Sequence, residues 1–304
     1  MERFLVIRFL QMVVTLFILS MLIFGLVRLG GDPVLQFLSP DADRSEYLEK
    51  RAQLGLDKPV YVQYWRFVSG AIRGDFGASI FTRRPVIDSV KEMLPNTIRL
   101  IVASMIIAFA FAIPLGVYAA VKRGSFMDFV ARLVAGLGQS APAFWVALIL
   151  IQIFAIKLHI LPTSGMGEWK TYVLPSVCLA FFIVAAPIRL LRSSMLEALD
   201  SEYIKLARIK GVDERVVIWK HAFRNSLLPV LTFAAMHIAS LITGTILIET
   251  VFAWPGIGRL AYRAIVNQDF PVIQAVVLTT AGFVIIANFI VDILYGFIDP
   301  RIRR

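Results

Sequence analysis

Side chains capable of covalent or redox chemistry are sparse in this 304-residue chain, which holds one cysteine and three histidines. Cys178 stands inside an apolar run, cannot support a disulfide framework or a paired-cysteine metal site, and reads as packing. No G-x-x-x-x-G-K-[ST] is present, so the chain has no phosphate-cradling loop of its own. H-E-x-x-H and G-x-S-x-G are absent too, which removes metalloprotease and hydrolase readings. The glycine pairs at Gly136 and Gly138 and at Gly256 and Gly258 lack the third glycine and preceding strand of a dinucleotide site. No catalytic residue, metal or cofactor is therefore expected in the chain itself.

What is left is the chemistry of recognition and passage. The segment from Arg189 to Arg224 has no proline and one glycine, and reads mainly as helix interrupted near Gly211. On a helix, Tyr203, Leu206 and Ala207 share one face while Glu202, Lys205 and Arg208 fall elsewhere. Ala207 and Gly211, four apart, would let another backbone approach closely. Such a ridge suits docking into a protein groove, or a basic helix resting on anionic lipid, and both readings stand. The polar or small residues Gln139, Ser140, Ser240, Thr243 and Gly244 can line a path or allow close helix packing. His237, the one ionisable residue inside an apolar run, can belong to that path or serve as an interhelical partner. An external turn from Glu249 to Asp269 carries Trp254, Pro255 and Gly256, which read as a tight turn beside an interfacial tryptophan.

These residues must be positioned by six stretches free of Asp, Glu, Lys and Arg: Phe9–Val27, Leu100–Val121, Leu133–Ile156, Thr171–Ile188, Asn225–Ile248 and Phe270–Val291. Each is 18 to 24 residues long. A hydrocarbon core needs roughly 20 apolar residues of helix to cross it. Continuous apolarity, rather than alternation in ten-residue segments, excludes a β-barrel. An all-α membrane protein with six transmembrane helices follows. The first run has no cleavage pattern after it and reads as a retained span. Prolines in or near the spans (Pro114, Pro142, Pro175, Pro187 and Pro229) are expected to kink helices.

The net charge of +10 sits between and beside the spans, so it orients helices and does not point to nucleic acid. Sixteen Lys and Arg fall on one side and four in the short loops of the other, with eleven in a long segment from Arg28 to Arg99 that translocates regardless of charge. Both termini are therefore expected in the cytoplasm. Residues 1–95 form the first span plus an external segment, including an amphipathic stretch from Val60 to Ile72. Residues 96–304 form a five-helix core with a cytoplasmic loop at 189–228. The middle of the bilayer is free of charge, the nearest carboxylates, Glu249 and Asp292, standing at span ends, whereas ion-coupled transporters hold charge near the midplane. The energy source is expected outside the chain.

The loop sequences SSMLEAL, EYIKLARIKG and KHAFRNSLLPVLT resemble the coupling loop of permease subunits of ATP-binding-cassette importers, in the dipeptide, oligopeptide, glutathione and nickel branch. GGDPV, LGLDKPVYVQYWRFVSG, GDFGASIFTRRPV, LPNTIRL, APAFWVALILIQIF, ETVFAWPGIGRL and NFIVDILYGFIDPRIRR resemble that branch's landmarks in order. The resemblance implies the type I permease fold in a bacterial inner membrane. It implies a second, similar permease, two ATPase subunits holding ATP and Mg, and an external substrate-binding protein. It places ATPase coupling on Glu197, Tyr203, Leu206, Ala207, Gly211 and Glu214, and a binding-protein contact or outer gate on Glu249, Trp254, Pro255 and Gly256. Lys205 departs from the wider importer pattern, where an acidic residue stands. The implied cargo is di- or oligopeptides, with glutathione, nickel complexes and opine-like compounds as alternatives within the branch. An ion-coupled secondary transporter and an intramembrane enzyme are the other classes weighed.

Overall fold

The computed structural model describes residues 2–29, 34, 38, 43–53 and 55–298, without the side chains of 2–5, 235, 236, 238–240, 291, 292 and 294–298. Gly30, Gly31, Asp32 and Pro33 and the terminal Arg301, Arg303 and Arg304 lie outside the described residues, as does the side chain of Ser240. Among the described residues the backbone is helical apart from turns and one isolated bridge between Ala78 and Pro85. In lipid every backbone polar group needs an internal partner, and a helix supplies those partners within one segment.

Three helices are long and apolar enough to cross a membrane singly: α1 (Glu2–Leu29), α4 (Val86–Val121) and α13 (Phe270–Ile298). Two bent pairs raise the number to as many as five. The remaining apolar run lies in α11 (Phe223–Val251). The six spans expected are not all established by length and composition.

The third and fourth runs are not single rods. The third divides into α5 (Phe126–Ser140) and α6 (Ala143–Leu150), the latter continued by π-helical winding to Lys157, with an angle of 111° at the break. Pro142 has no N–H to give a preceding turn, and Ala141 before it is extended (φ −76, ψ 136). The fourth divides into α7 (Trp169–Ile183) and α8 (Ala185–Leu199), bent by 43°. Pro187 cannot donate to the carbonyl of Ile183, which falls at that break. Pro175 and Pro229, by contrast, are carried inside α7 and α11.

Two compact units result, Met1–Asn96 with Gly256–Arg304, and Thr97–Pro255. The residues from Gly256 onward group with the N-terminal ones because α13 packs along α1. In that first unit α2 (Arg44–Gln53) is polar, and the expected amphipathic stretch is α3 (Val60–Ile72). Tyr64 of α3 shares a 2.8 Å hydrogen bond with Ser20 and meets Phe24 edge-on at 5.3 Å, while Phe67 stacks on Phe24 at 5.7 Å. The opposite face of α3 exposes Tyr61 and Trp65, as an interfacial helix does. The carboxylate of Asp269, between α12 (Ile257–Val266) and α13, accepts from the Ser79 hydroxyl and from the N–H of Ile80 at 3.1 Å, pinning the loop that carries the Ala78 bridge.

In the second unit α5, α7 and α8 pack through small residues of one cluster that includes Ala131, Ala135, Ala180 and Ala185. A Cβ on Gly138 would lie 2.6 Å from the carbonyl oxygen of Phe181, so this glycine permits the close approach of α5 and α7. Gly136 meets nothing within 4 Å.

Candidate functional site: the lever between the fourth and fifth apolar runs

After α8 the chain breaks at Asp200 and Ser201, forms the short α9 (Glu202–Ile209), and breaks again at Lys210 and Gly211. It then runs through α10 (Glu214–Val216) and a π-helical stretch, Val217–Ala222, into α11. The second break matches the sequence expectation. Gly211 adopts φ +76, donates to Arg208 O at 3.0 Å, and is followed by Val212 donating to Ala207 O at 3.2 Å. This paired 5→2 and 6→1 closure is a Schellman turn, which places a left-handed residue where glycine costs least.

Within the chain a Cβ on Gly211 would meet nothing within 4 Å, and its left-handed conformation requires glycine there. Ala207 faces inward, half-buried with Val212 against a cluster formed by Leu191, Met195, Ile204 and Val217, together with Val117 and Ala120 of α4. The anticipated ridge is therefore split. Tyr203 and Leu206 remain on the outside at 45% and 51% exposure.

Ile204 is the anchor. It is fully buried on a helix of eight residues whose other side chains are mostly exposed. Burying an isoleucine contributes about 2 kcal/mol, enough to seat one turn of helix on its neighbours. Ile209, at 82% exposure, is the most exposed apolar side chain of the lever, and Val216 and Trp219 extend the apolar surface. Trp219 meets Phe223 edge-on at 5.4 Å. Sequence reasoning missed Ile204, Ile209 and Trp219, because with no fixed boundary at Ser201 the phase of the helix was open.

Polar contacts hold the lever's shape. Arg208 grips Glu214 with two bonds, 2.7 and 3.1 Å, across the Gly211 turn, and this holds the Glu214 carboxyl below its ordinary pKa. Glu202 bonds Lys205 at 2.8 Å and pushes the ammonium pKa up. The Tyr203 hydroxyl accepts from Asn225 Nδ2 at 3.1 Å, joining α9 to α11. Glu197 is exposed on α8.

A further contact went unseen in sequence. Asp128, near the N-terminus of α5, is 1% exposed and accepts from Arg192 of α8 at 2.7 and 3.3 Å and from the Gly124 N–H at 3.1 Å. It lies 64 residues from Arg192 in sequence. It ties the start of the lever to the turn before α5. About one turn earlier on α8, Arg189 donates to Gln139 Oε1.

Of the other expected path residues, Ser140 and Thr243 are exposed, and the exposed His237 rests its ring 3.9 Å from that of Phe233. At the outer end of α11, Glu249 is fully buried and accepts from Thr97 Oγ1 at 2.6 Å. Trp254 is also fully buried, edge-on to Tyr172 at 4.6 Å, and the Phe252 carbonyl accepts from Gly165 N–H at 3.0 Å. Both side chains are buried in the chain and hold this turn, Glu249 through Thr97 and Trp254 against Tyr172. Pro255 is half-buried, and Gly256 is buried at the start of α12. Among the described residues no group of three or more His, Cys, Asp or Glu could hold a metal ion.

Residues 112–304 match the family model described as binding-protein-dependent transport system inner membrane component, and residues 1–101 match that of its N-terminal part. The chain is 40% identical to the glutathione transport system permease protein GsiC of Escherichia coli strain K12, over 100% of this chain and 99% of the relative. The GsiC proteins of Shigella dysenteriae serotype 1 and Shigella flexneri serotype 5b are 40% identical over the same shares.

Proposed function

We propose a working mechanism on one premise: the chain belongs to the family of binding-protein-dependent transport system inner membrane components. It is a permease subunit of an ATP-binding-cassette importer, with the type I permease fold, and it is not an enzyme. Permeases of this kind are multi-pass inner-membrane proteins that carry no cofactor, and nucleotide binding belongs to partner ATPase subunits.

In the reading proposed, one of two ATPase subunits holds the outer face of α9 in a groove. Tyr203, Leu206 and Ile209 fill the groove, Trp219 and Val216 flank it, and Glu197 and the Arg208–Glu214 clasp form its polar rim. The carrying observation is that an 82% exposed Ile209 rides on a helix anchored by a fully buried Ile204. A push on the outer face is thus delivered through Ile204 to the cluster shared by α4, α8 and α11. Gly211 and Ala207 act by shaping the turn.

A second, similar permease would complete the path, with both termini cytoplasmic and Gln139, Ser140, His237, Ser240 and Thr243 as candidate lining. Pro255 and Gly256, on the turn that Trp254 and Glu249 anchor, are the candidate outer gate. The cargo proposed is a short peptide handed over by an external binding protein. Relatives named for glutathione, a tripeptide, support that class. An ion-coupled secondary transporter is not favoured.

The test uses Ile209→Cys in the assembled transporter. Cys178 is buried, so the introduced thiol is the accessible one of this chain. A short bifunctional reagent should join it to an ATPase subunit in a nucleotide-dependent yield. Capture of lipid or of no protein at every nucleotide state would overturn the docking reading.

A further inference from the structure

The first unit contains a half-open cavity of about 330 Å³ that the transport reading does not use. Its walls come from the C-terminal end of α1, from α3, from the loop after Gly77 and from the start of α13. Phe24, Phe67 and Phe270 make it predominantly apolar, while Arg28, Gln63, Arg66 and Gln274 supply the polar side chains. No acidic side chain lines it among the described residues. Two guanidinium groups lining one cavity with no carboxylate among its described lining, one of them half-buried, favour an anion, because a charge partly withdrawn from water gains from a counter-charge.

The guanidinium of Arg28 is half-buried, lies 4.1 Å from the Phe24 ring centroid and donates to Gln63. Arg66 is exposed and packs its guanidinium over Gly55, which has φ +68. The residues around the cavity also fix its depth. Tyr61 and Trp65 on the far face of α3, at 73% and 71% exposure, are aromatic side chains of the kind that sit at headgroup level. Ser20, Phe24 and Arg28 of α1 hold the near face of α3 against the end of a span.

We propose that this cavity is a binding site for an anionic phospholipid. The phosphodiester lies between Arg28 and Arg66 with the Gln274 amide as a further donor, and an acyl chain leaves through the open side along Phe24 and Phe270. A volume near 330 Å³ is at the small end of ligand pockets, which fits a headgroup and leaves the chains in the bilayer. With both termini cytoplasmic, as proposed above, the lipid belongs to the outer leaflet. The binding itself does not depend on that orientation or on the docking of α9.

The test is native mass spectrometry of the assembled transporter, delipidated and titrated with phosphatidylglycerol, phosphatidylcholine or inorganic phosphate. One phosphatidylglycerol should be retained about tenfold more tightly than phosphatidylcholine. Arg66→Gln, which replaces an exposed side chain and spares the fold, should lower that retention several-fold, and Arg28→Gln with Arg66→Gln should abolish the preference. Arg66→Lys should recover part of it. Equal retention of the two lipids, an unchanged preference in the double variant, or displacement by millimolar inorganic phosphate would each overturn the proposal. ATPase cross-linking through Ile209→Cys is expected to be unaffected by these variants, so failure of one reading leaves the other standing.

Discussion

Two helix ends in the unit Thr97–Pro255 close with the same pair of hydrogen bonds, α9 at Gly211 and α11 at Ala253. At the first, Gly211 donates to Arg208 and Val212 to Ala207; at the second, Ala253 donates to Thr250 and Trp254 to Glu249. The first closure supports a helix whose apolar side chains Leu206 and Ile209 are exposed, and the second swings the largest side chain of its turn fully inside. The same hydrogen-bonded closure therefore says nothing about use. Whether the apolar residue beside the closure is satisfied within its own chain separates a docking surface from an anchor.

The sharpest way to break that contrast is to truncate both apolar residues. Trp254→Ala should cost about 3 to 5 kcal/mol of stability, the usual price of emptying a fully packed aromatic site, read as a lowered unfolding temperature in detergent. Ile209→Ser should change stability by no more than about 0.5 kcal/mol, as surface substitutions do, while weakening association with the ATPase. If the two unfolding temperatures fell together, the lever would be part of the packed interior and the contrast would fail.

A smaller effect comes from exchanging the residues at the closures. Ala253 holds φ +50, a conformation that costs an L-residue about 1 to 2 kcal/mol. Gly211→Ala should destabilise the lever by about 1 kcal/mol, and Ala253→Gly should stabilise the outer turn by a few tenths to about 1 kcal/mol. Opposite signs in chemical denaturation sharpen the comparison, and equal signs would show that the closures are not equivalent.

The smallest expected effect is electrostatic. Arg208 depresses the Glu214 pKa in the folded chain, so the pair's contribution is present above the unfolded carboxylate pKa and is lost as pH falls through the depressed folded value. Both side chains are exposed, so the contribution is a few tenths of a kcal/mol. Glu214→Gln should remove this acid-side dependence and leave Trp254 burial untouched. The parent and variant should then differ at neutral pH and converge in acid.

Much of the scaffold was legible because continuous apolarity and proline are one-dimensional signals. α3 matches the amphipathic stretch Val60–Ile72, and Pro142 and Pro187 mark where two spans break. The 111° and 43° angles were not legible, since they are set by packing across the bend. In the lever, Gly211 betrayed its turn, but the non-glycine residues Ala253 and Gln268 adopt positive φ without any compositional sign. Trp254 looked interfacial because tryptophan often is, and its Tyr172 partner lies far away in sequence. Asp128 looked like one more loop charge until the fold brought Arg192 to it.

The wider winding at Val217–Ala222 also has a mechanical meaning. A π turn houses one residue more than an α turn. Letting that residue out would rotate the chain beyond it by about 100° and advance it by about 1.5 Å. The foot of α11, where the force of docking would arrive, thus holds a single residue of slack, a step size written into the backbone itself.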